Sequence, residues 1–564
     1  MKEIIKTLRR DIIAIMKKED IPGLAISLID KDGILWTEGF GFIDRSESRK
    51  VDPNTIFSIG STTKSITAVA FLRAVQKGII GLDDKLVTYY PEFTINSRYG
   101  DEEINKISFR HLLSHQAGLG GGAPMRGLGF DESKGNFTFG YRIQSISNTW
   151  MVWPVGKLWH YSNPGMDLVA YVLQRISGKS YPEYVKEEVS KPLNMKSMVY
   201  GKKNGLKNPN YAVGYGGPFE ALFSDIYIIG CAGVYISVRD LSKFILFQLN
   251  DGKLNEKRIL RRELLDEMRK NQIVNPSMVK HGLGLFINTD RLKGISLYEH
   301  TGGGYGYSSA MSFNLEHRLG VIVLTNQGYQ DSQKIADNAL KLLFKTKGVK
   351  IYENGISPVS EPIKVIRKMR KRKKGKFGPN KSEWEKYIGL YRAYSWGDPV
   401  YIGIGLEFGY LIHIWAWAGA RIVLDLKEYS PGVFFLPSND VVTFKNNKMI
   451  FGPYLTTRVE NIVKEIKQIA EKDPNNRNFQ IWILNHLVFI LQRLNRKDEA
   501  LEIQKINYSL NPDDLSILIS MSEIYFKNEN FKKAKEFCEK ILMKEPENKE
   551  ALKMLSKIEK FAAR

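Results

Sequence analysis

Cysteine is nearly absent: the chain of 564 residues carries two, Cys231 and Cys538, far apart in different segments. That excludes a disulfide framework and points to a reducing compartment. Long uncharged apolar runs are missing too, and none reaches the roughly 18 residues a membrane span needs. The N-terminus, "MKEIIKTLRRDIIAIMKKEDIPG", spaces Ile4, Ile5, Leu8, Ile12 and Ile15 as one helical stripe broken by charges. This is neither a signal-peptide core nor a span, and a soluble, cytoplasmic protein is expected.

Acidic residues are missing from residues 364–381, "KVIRKMRKRKKGKFGPNK", which hold ten Lys or Arg, nearly half of the formal charge of +22. With Gly375, Gly378 and Pro379 inside it, this run reads as a solvated linker, a phosphate-binding patch being the other reading. It marks a domain boundary either way, and nucleic acid is not expected as a partner. At 43% hydrophobic and 11% aromatic the chain is globular, and it is too long for one core.

Up to about residue 350, helical and strand patterns mix. "GLAISLID" and "ILWTEGFGFID" flank Lys31-Asp32-Gly33 as a hairpin. Helical runs follow from Ser61 to Lys77 and at "MDLVAYVLQRISG". "HGLGLFIN", "SLYEHTGG", "SSAMSFNLEH" and "LGVIVLTN" then read as antiparallel strands before a closing helix, "DSQKIADNALKLLFK". Strands at both ends with helices between predict one α+β domain whose sheet draws on both ends of the segment.

Three short motifs carry chemistry. "FSIGSTTKSITAVA" sets Ser61 and Lys64 one turn apart at a helix N-terminus, where unpaired N–H groups favour developing negative charge. A serine is a poor nucleophile until a base takes its proton. The spacing alone is weak, since Ser277 and Lys280 share it. Tyr161-Ser162-Asn163, in "PVGKLWHYSNPG", offers a hydroxyl able to relay a proton and an amide able to hold a carbonyl, although Tyr352 and Asn354 repeat that spacing. "EHTGGGYGYSS" places His300, Thr301 and Gly302 to Gly304 on a strand whose missing side chains leave room for a substrate to meet backbone N–H groups.

In this order, and with "ISFRHLLSHQAGL", "KPLNMKSM" and "GCAGVYISVRDLSKF" around them, the motifs resemble the penicillin-binding-protein and serine β-lactamase superfamily, over roughly residues 10 to 345. The branch it resembles contains class C-like β-lactamases, D-aminopeptidases, DD-peptidases and carboxylesterases. The resemblance implies an antiparallel sheet flanked by helices with a helical subdomain. It also implies that Ser61 attacks a carbonyl, that Lys64 and Tyr161 share the proton transfers, and that Asn163, Thr301 and Gly302 position substrate. The N–H groups of Ser61 and Gly303 would form the oxyanion hole. Many β-lactamases of this superfamily carry lysine where His300 stands; a histidine that titrates near neutrality makes β-lactam hydrolysis less expected as the main task, and esters or peptide amides more so.

His111 and His115 are four apart, as helical zinc ligands can be, but "HLLSH" lacks the glutamate of the metalloprotease motif; no metal or other cofactor is expected. Cys231 reads as a packed small residue. "GLGGGAPMRG", residues 118–127, reads as a loop beside the active site.

Residues 382–458 hold short β-rich runs such as "PVYIGIG" and "GYLIHIWAW" and predict a small antiparallel barrel or meander. They resemble the lipocalin-like module attached to some intracellular peptidases of this superfamily. From 459 to 564 the pattern is helical, with Ala500 and Ala534, and Pro512 and Pro546, each 34 apart, as in tetratricopeptide repeats. The expected organisation is a hydrolase domain over 1–350, a basic linker over 351–381, a β domain over 382–458 and a helical repeat domain over 459–564. The repeats would serve self-association or a protein partner. A catalytically silent binding or scaffold protein is the rival reading.

Overall fold

The computed structural model describes residues 1–349 apart from 124–137, 217–218, 222–227, 274–278, 293, 305 and 329–331, and residues 382–562 apart from 396–397, 408–409, 418–419, 437–439, 446–447, 452–453 and 473–480. The basic run at 364–381, Ser277, Tyr352 and residues 124–127 of the glycine-rich loop lie outside the described residues. The chain divides into two units, Met1–Met369 and Arg370–Arg564.

In the first unit, β1 (Gly23–Asp30) and β2 (Gly33–Gly41) form the hairpin, and Asp30 Oδ1 accepts from the N–H groups of Asp32 and Gly33 at 2.9 and 3.2 Å to close its turn. Five later strands complete the sheet: β3 (Lys280–His281), β4 (Phe286–Asn288), β5 (Leu297–Gly304), β6 (Tyr307–Asn314) and β7 (Leu319–Thr325). All pairings are antiparallel, in the order β3-β4-β5-β6-β7-β1-β2, so the N-terminal hairpin joins the last strand. Both faces of β1 and β7 are covered, which is why they read as unbroken apolar runs.

Helices cover the two faces. On α1 (Lys2–Lys18), Ile4, Leu8 and Ile12 are buried in a cluster with Leu24, Ile26 and Leu28 of β1 and with Ile335, Leu340 and Phe344 of the closing helix Ser332–Thr346. Each such burial stabilises by roughly 1.5–3 kcal/mol. The central α2 (Thr63–Gln76) is almost wholly buried, and α3 (Asn163–Ser177) starts on Ser162, whose Oγ accepts from Gly165 N–H at 3.1 Å, and ends on Gly178 at φ +67°. Left-handed backbone of that kind favours glycine.

The second unit is built on a nine-stranded antiparallel sheet among the described residues. Its two edge strands, Ala420–Asp425 and Lys427–Ser430, are separated in the chain by Leu426 alone, whose N–H donates to the Leu411 carbonyl at 2.8 Å. The edges therefore meet, and the sheet curls into a nearly closed barrel. Alternation along its strands sends Tyr391, Ile402, Ile404 and Leu411 to one core, with Trp384 and Phe434. Leu390, Tyr401, Ile412 and Ile414 face the other way, into a core shared with Ile462 and Ile466 of the helix Ile462–Lys472 and with Leu484, Leu487 and Leu491 of Ile481–Arg493. Four helices follow; those at Lys497–Leu510 and Phe531–Lys544 start 34 residues apart, as do those at Leu515–Lys527 and Lys549–Ala562. No described helix is long and apolar enough to cross a membrane.

Candidate active site

Gly60 opens the short turn Gly60–Thr62 at φ +48°, a conformation that favours glycine, and the helix α2 begins at Thr63. Ser61 thus sits in the turn and Lys64 in the first turn of the helix. Lys64 is fully buried, and its Nζ donates to Ser61 Oγ at 3.0 Å and to the Cys231 carbonyl at 2.9 Å. Its Nζ lies 4.8 Å from the centre of the Tyr161 ring.

Strand β5 docks against this turn. A Cβ on Gly302 would lie 1.9 Å from the Ile59 carbonyl oxygen, so only glycine fits, whereas a Cβ on Gly303 would enter open space. Ser309 of β6, paired with Gly302, donates from Oγ to the Ile59 carbonyl at 2.8 Å and lies 2.9 Å from Thr62 Oγ1. The sheet thereby holds the serine turn from below while the Gly303 side stays open.

Two fully buried charges support Lys64 from behind. Asp167, on α3, accepts from the N–H groups of Gly230 and Cys231 at 3.1 and 3.2 Å and from Arg142 Nε at 2.9 Å. Burial pushes the Asp167 carboxyl above its ordinary value against the opposing pull of Arg142. The Cys231 carbonyl that meets Lys64 is therefore fixed by a carboxylate. The Cys231 thiol is fully buried and its pKa is pushed up by desolvation, as befits a packed residue.

Residue type alone gives His300 a charge that changes between about pH 6 and 7, and the structure corrects that expectation. The ring is 1% exposed, and burial, followed by the Lys64 charge, holds its pKa well below the ordinary 6.5. Its Nδ1 lies 2.6 Å from the Thr301 carbonyl, which only accepts, so the proton is on Nδ1 and the unpartnered Nε2 is a lone pair. It is neutral at physiological pH. Buried nearby are His281, its pKa pushed down to about 4 by burial, and His115. Phe286 packs against His281 at 4.8 Å and His300 at 5.3 Å between ring centres. Among the described residues no group of three His, Cys, Asp or Glu side chains is placed to hold a metal. His111 caps its own helix instead, with Nδ1 3.0 Å from Ser108 Oγ.

The family model described as Beta-lactamase matches residues 8–344, more than half of the chain. The chain belongs to the beta-lactamase family. It is 25% identical over 331 residues to protein flp of Staphylococcus aureus (strain MW2), covering 57% of this chain and 63% of that protein, and 25% identical over 363 residues to beta-lactamase-like protein 2 of Dictyostelium discoideum, covering 61% and 63%. The chain thus spans less than two thirds of these relatives. The octameric penicillin-binding protein homologue from Pyrococcus abyssi shares the fold at a TM-score of 0.52 and 22% identity, over 80% of this chain and 99% of that one. These matches set the first unit in the serine-hydrolase superfamily of beta-lactamases and penicillin-binding proteins.

Within that beta-lactamase-type fold, Ser61 and Lys64, Tyr161, and His300 converge from three separate stretches of chain. Asn163 is half-buried, and its side-chain amide donates to the Gly121 carbonyl at 3.2 Å. Thr301 is half-buried beside His300. Asp167 and Arg142 escape sequence reasoning because neither lies in a motif. An aspartate among apolar residues in "GMDLVAYV" is the one signal that could have found them.

Proposed function

We propose that the protein is a serine hydrolase that forms an acyl-enzyme on Ser61 and acts on small esters or peptide amides. The observation that carries this is the 3.0 Å contact between Lys64 Nζ and Ser61 Oγ, with the Tyr161 ring beside the same nitrogen. One of Lys64 and Tyr161 enters the step deprotonated and takes the proton from Ser61 as Oγ bonds to the substrate carbonyl carbon, and the pair delivers that proton to the leaving alcohol or amine as its bond to the carbonyl carbon breaks. The N–H groups of Ser61 and Gly303 receive the developing oxyanion, and water then cleaves the acyl-enzyme by the reverse proton path. Asn163, Thr301 and Gly302 line the substrate.

Neutral His300 favours neutral substrates over acids, since it offers no cation to a carboxylate. Hydrolysis of p-nitrophenyl esters and of short peptide amides tests the reading: turnover lost in Ser61→Ala supports it, and turnover retained refutes it. The two widely separated, buried cysteines support a reducing, cytoplasmic setting. The barrel is read as lipocalin-like, and the 34-residue helical step supports tetratricopeptide-type repeats that bind a partner or a second copy. The relative from Pyrococcus abyssi is described as octameric, which favours self-association here.

A further inference from the structure

Tyr161 lies in a stretch with no helix or strand of its own, just before α3, so no ladder of backbone bonds fixes its side chain. The Phe286 ring stacks on it, and one residue from another segment, His115, holds the chain on both sides of it. The His115 carbonyl accepts from the N–H of His160 at 2.8 Å, and His115 Nδ1 accepts from the N–H of Ser162 at 3.2 Å. The chain is therefore gripped on each side of Tyr161. The imidazole also packs on the phenol ring, with centres 4.6 Å apart.

His115 itself is strained and buried. Its φ is +61°, left-handed for a non-glycine residue, and it is 1% exposed. Such conformations cost free energy and persist where the surroundings demand them, often at functional sites. A backbone N–H can only donate, so Nδ1 carries the lone pair and the proton is on Nε2. The grip on Ser162 needs that neutral form, and burial beside His281, Lys64, His300 and His160 holds the pKa of the ring well below 6.5.

From this clamp we infer that His115 is the positioning residue that sets the hydroxyl of Tyr161 against Lys64 and Ser61. The inference rests on the reading of Tyr161 as part of the proton path. It assigns a role to the second histidine of "HLLSH" that the motif alone does not disclose. The requirement is specific: an acceptor at the Nδ1 position, a flat face for the phenol, and tolerance of left-handed backbone.

Asparagine keeps the acceptor and the backbone conformation; glycine keeps only the conformation. His115→Gly should therefore lower kcat for a p-nitrophenyl ester by about 10²-fold, with KM within about threefold, because a small misplacement of a reacting group costs that much. His115→Asn should stay within about fivefold of the parent kcat. In a Tyr161→Phe background, His115→Gly should cost less than about twofold more, since the group it positions is gone. Circular dichroism checks the fold of each variant, and His115→Ala, which also lacks the acceptor and adds only a methyl group at the left-handed position, replaces His115→Gly should the latter not fold. A Tyr161→Phe enzyme with parent turnover overturns both this inference and the reading it rests on. A large Tyr161→Phe loss that multiplies with His115→Gly, or a His115→Asn as slow as His115→Gly, overturns the His115 role alone.

Discussion

Asp167→Asn is the substitution whose consequence can be worked furthest from the structure. The carboxylate is fully buried and serves three donors at once: the N–H groups of Gly230 and Cys231 through Oδ1, and Arg142 Nε through Oδ2. An asparagine has one acceptor oxygen. Turned toward the two amides, it sets its NH₂ against the guanidinium; turned toward Arg142, it sets the NH₂ against the amides. In either orientation the buried Arg142 charge loses the carboxylate beside it, and breaking a buried pair from one side costs about 3–5 kcal/mol. The Cys231 carbonyl then shifts from Lys64, and turnover should fall about tenfold or more. Urea unfolding followed by circular dichroism gives the first quantity, and ester hydrolysis well below the midpoint gives the second. Arg142→Met combined with Asp167→Asn removes the stranded charge and frees the asparagine oxygen for the amides, so it should recover part of both. A loss under about 1 kcal/mol with turnover within twofold of the parent would refute the reasoning.

Two further outcomes follow from the same geometry. Below pH 6.5 the unfolded chain protonates its histidines while buried His281 stays neutral down to about pH 4, so the unfolded state binds more protons there. Stability of the first unit is therefore full above about pH 6.5 and falls by about 1.4 kcal/mol per pH unit for each such histidine as pH drops below it; equal urea midpoints at pH 7.5 and 5.5 would contradict this. Gly302→Ala drives a Cβ into the Ile59 carbonyl and should lower both stability and turnover, whereas Gly303→Ala enters open space and should spare the unfolding midpoint while hindering substrate. A Gly302→Ala protein with the parent midpoint would show that β5 and the serine turn are not locked together.

What the sequence disclosed was local. Ser61 and Lys64 are three apart on one helical turn, and the glycines of β5 stand in a row, so residue type and spacing were enough to pick them out. The alternating and unbroken apolar runs likewise disclosed a sheet joined from both ends of the first unit. The environment of each group stayed hidden. The charge state of His300 depends on burial among Phe286, Tyr161 and Lys64, which meet it only in the folded chain. The partner of Lys64 beyond Ser61 is a backbone carbonyl, and any residue at 231 would supply one. Asp167 and Arg142 are 25 positions apart and pair only because two helices pack. The apolar alternation at 382–458 marked strands but not which face the following helices cover, and the core shared by Ile414, Ile462 and Leu487 is a tertiary fact.

The proposed activity stands on acylation of Ser61. Intact-mass measurement of the full chain after treatment with a fluorophosphonate, with a penicillin in parallel, tests it most directly. The expected result is one fluorophosphonate adduct per chain, mapped by peptide sequencing to Ser61 and absent from Ser61→Ala, with weaker or no penicillin adduct because neutral His300 gives the drug's carboxylate no cation. An adduct on another serine, or an unmodified chain that still hydrolyses esters, would contradict the account.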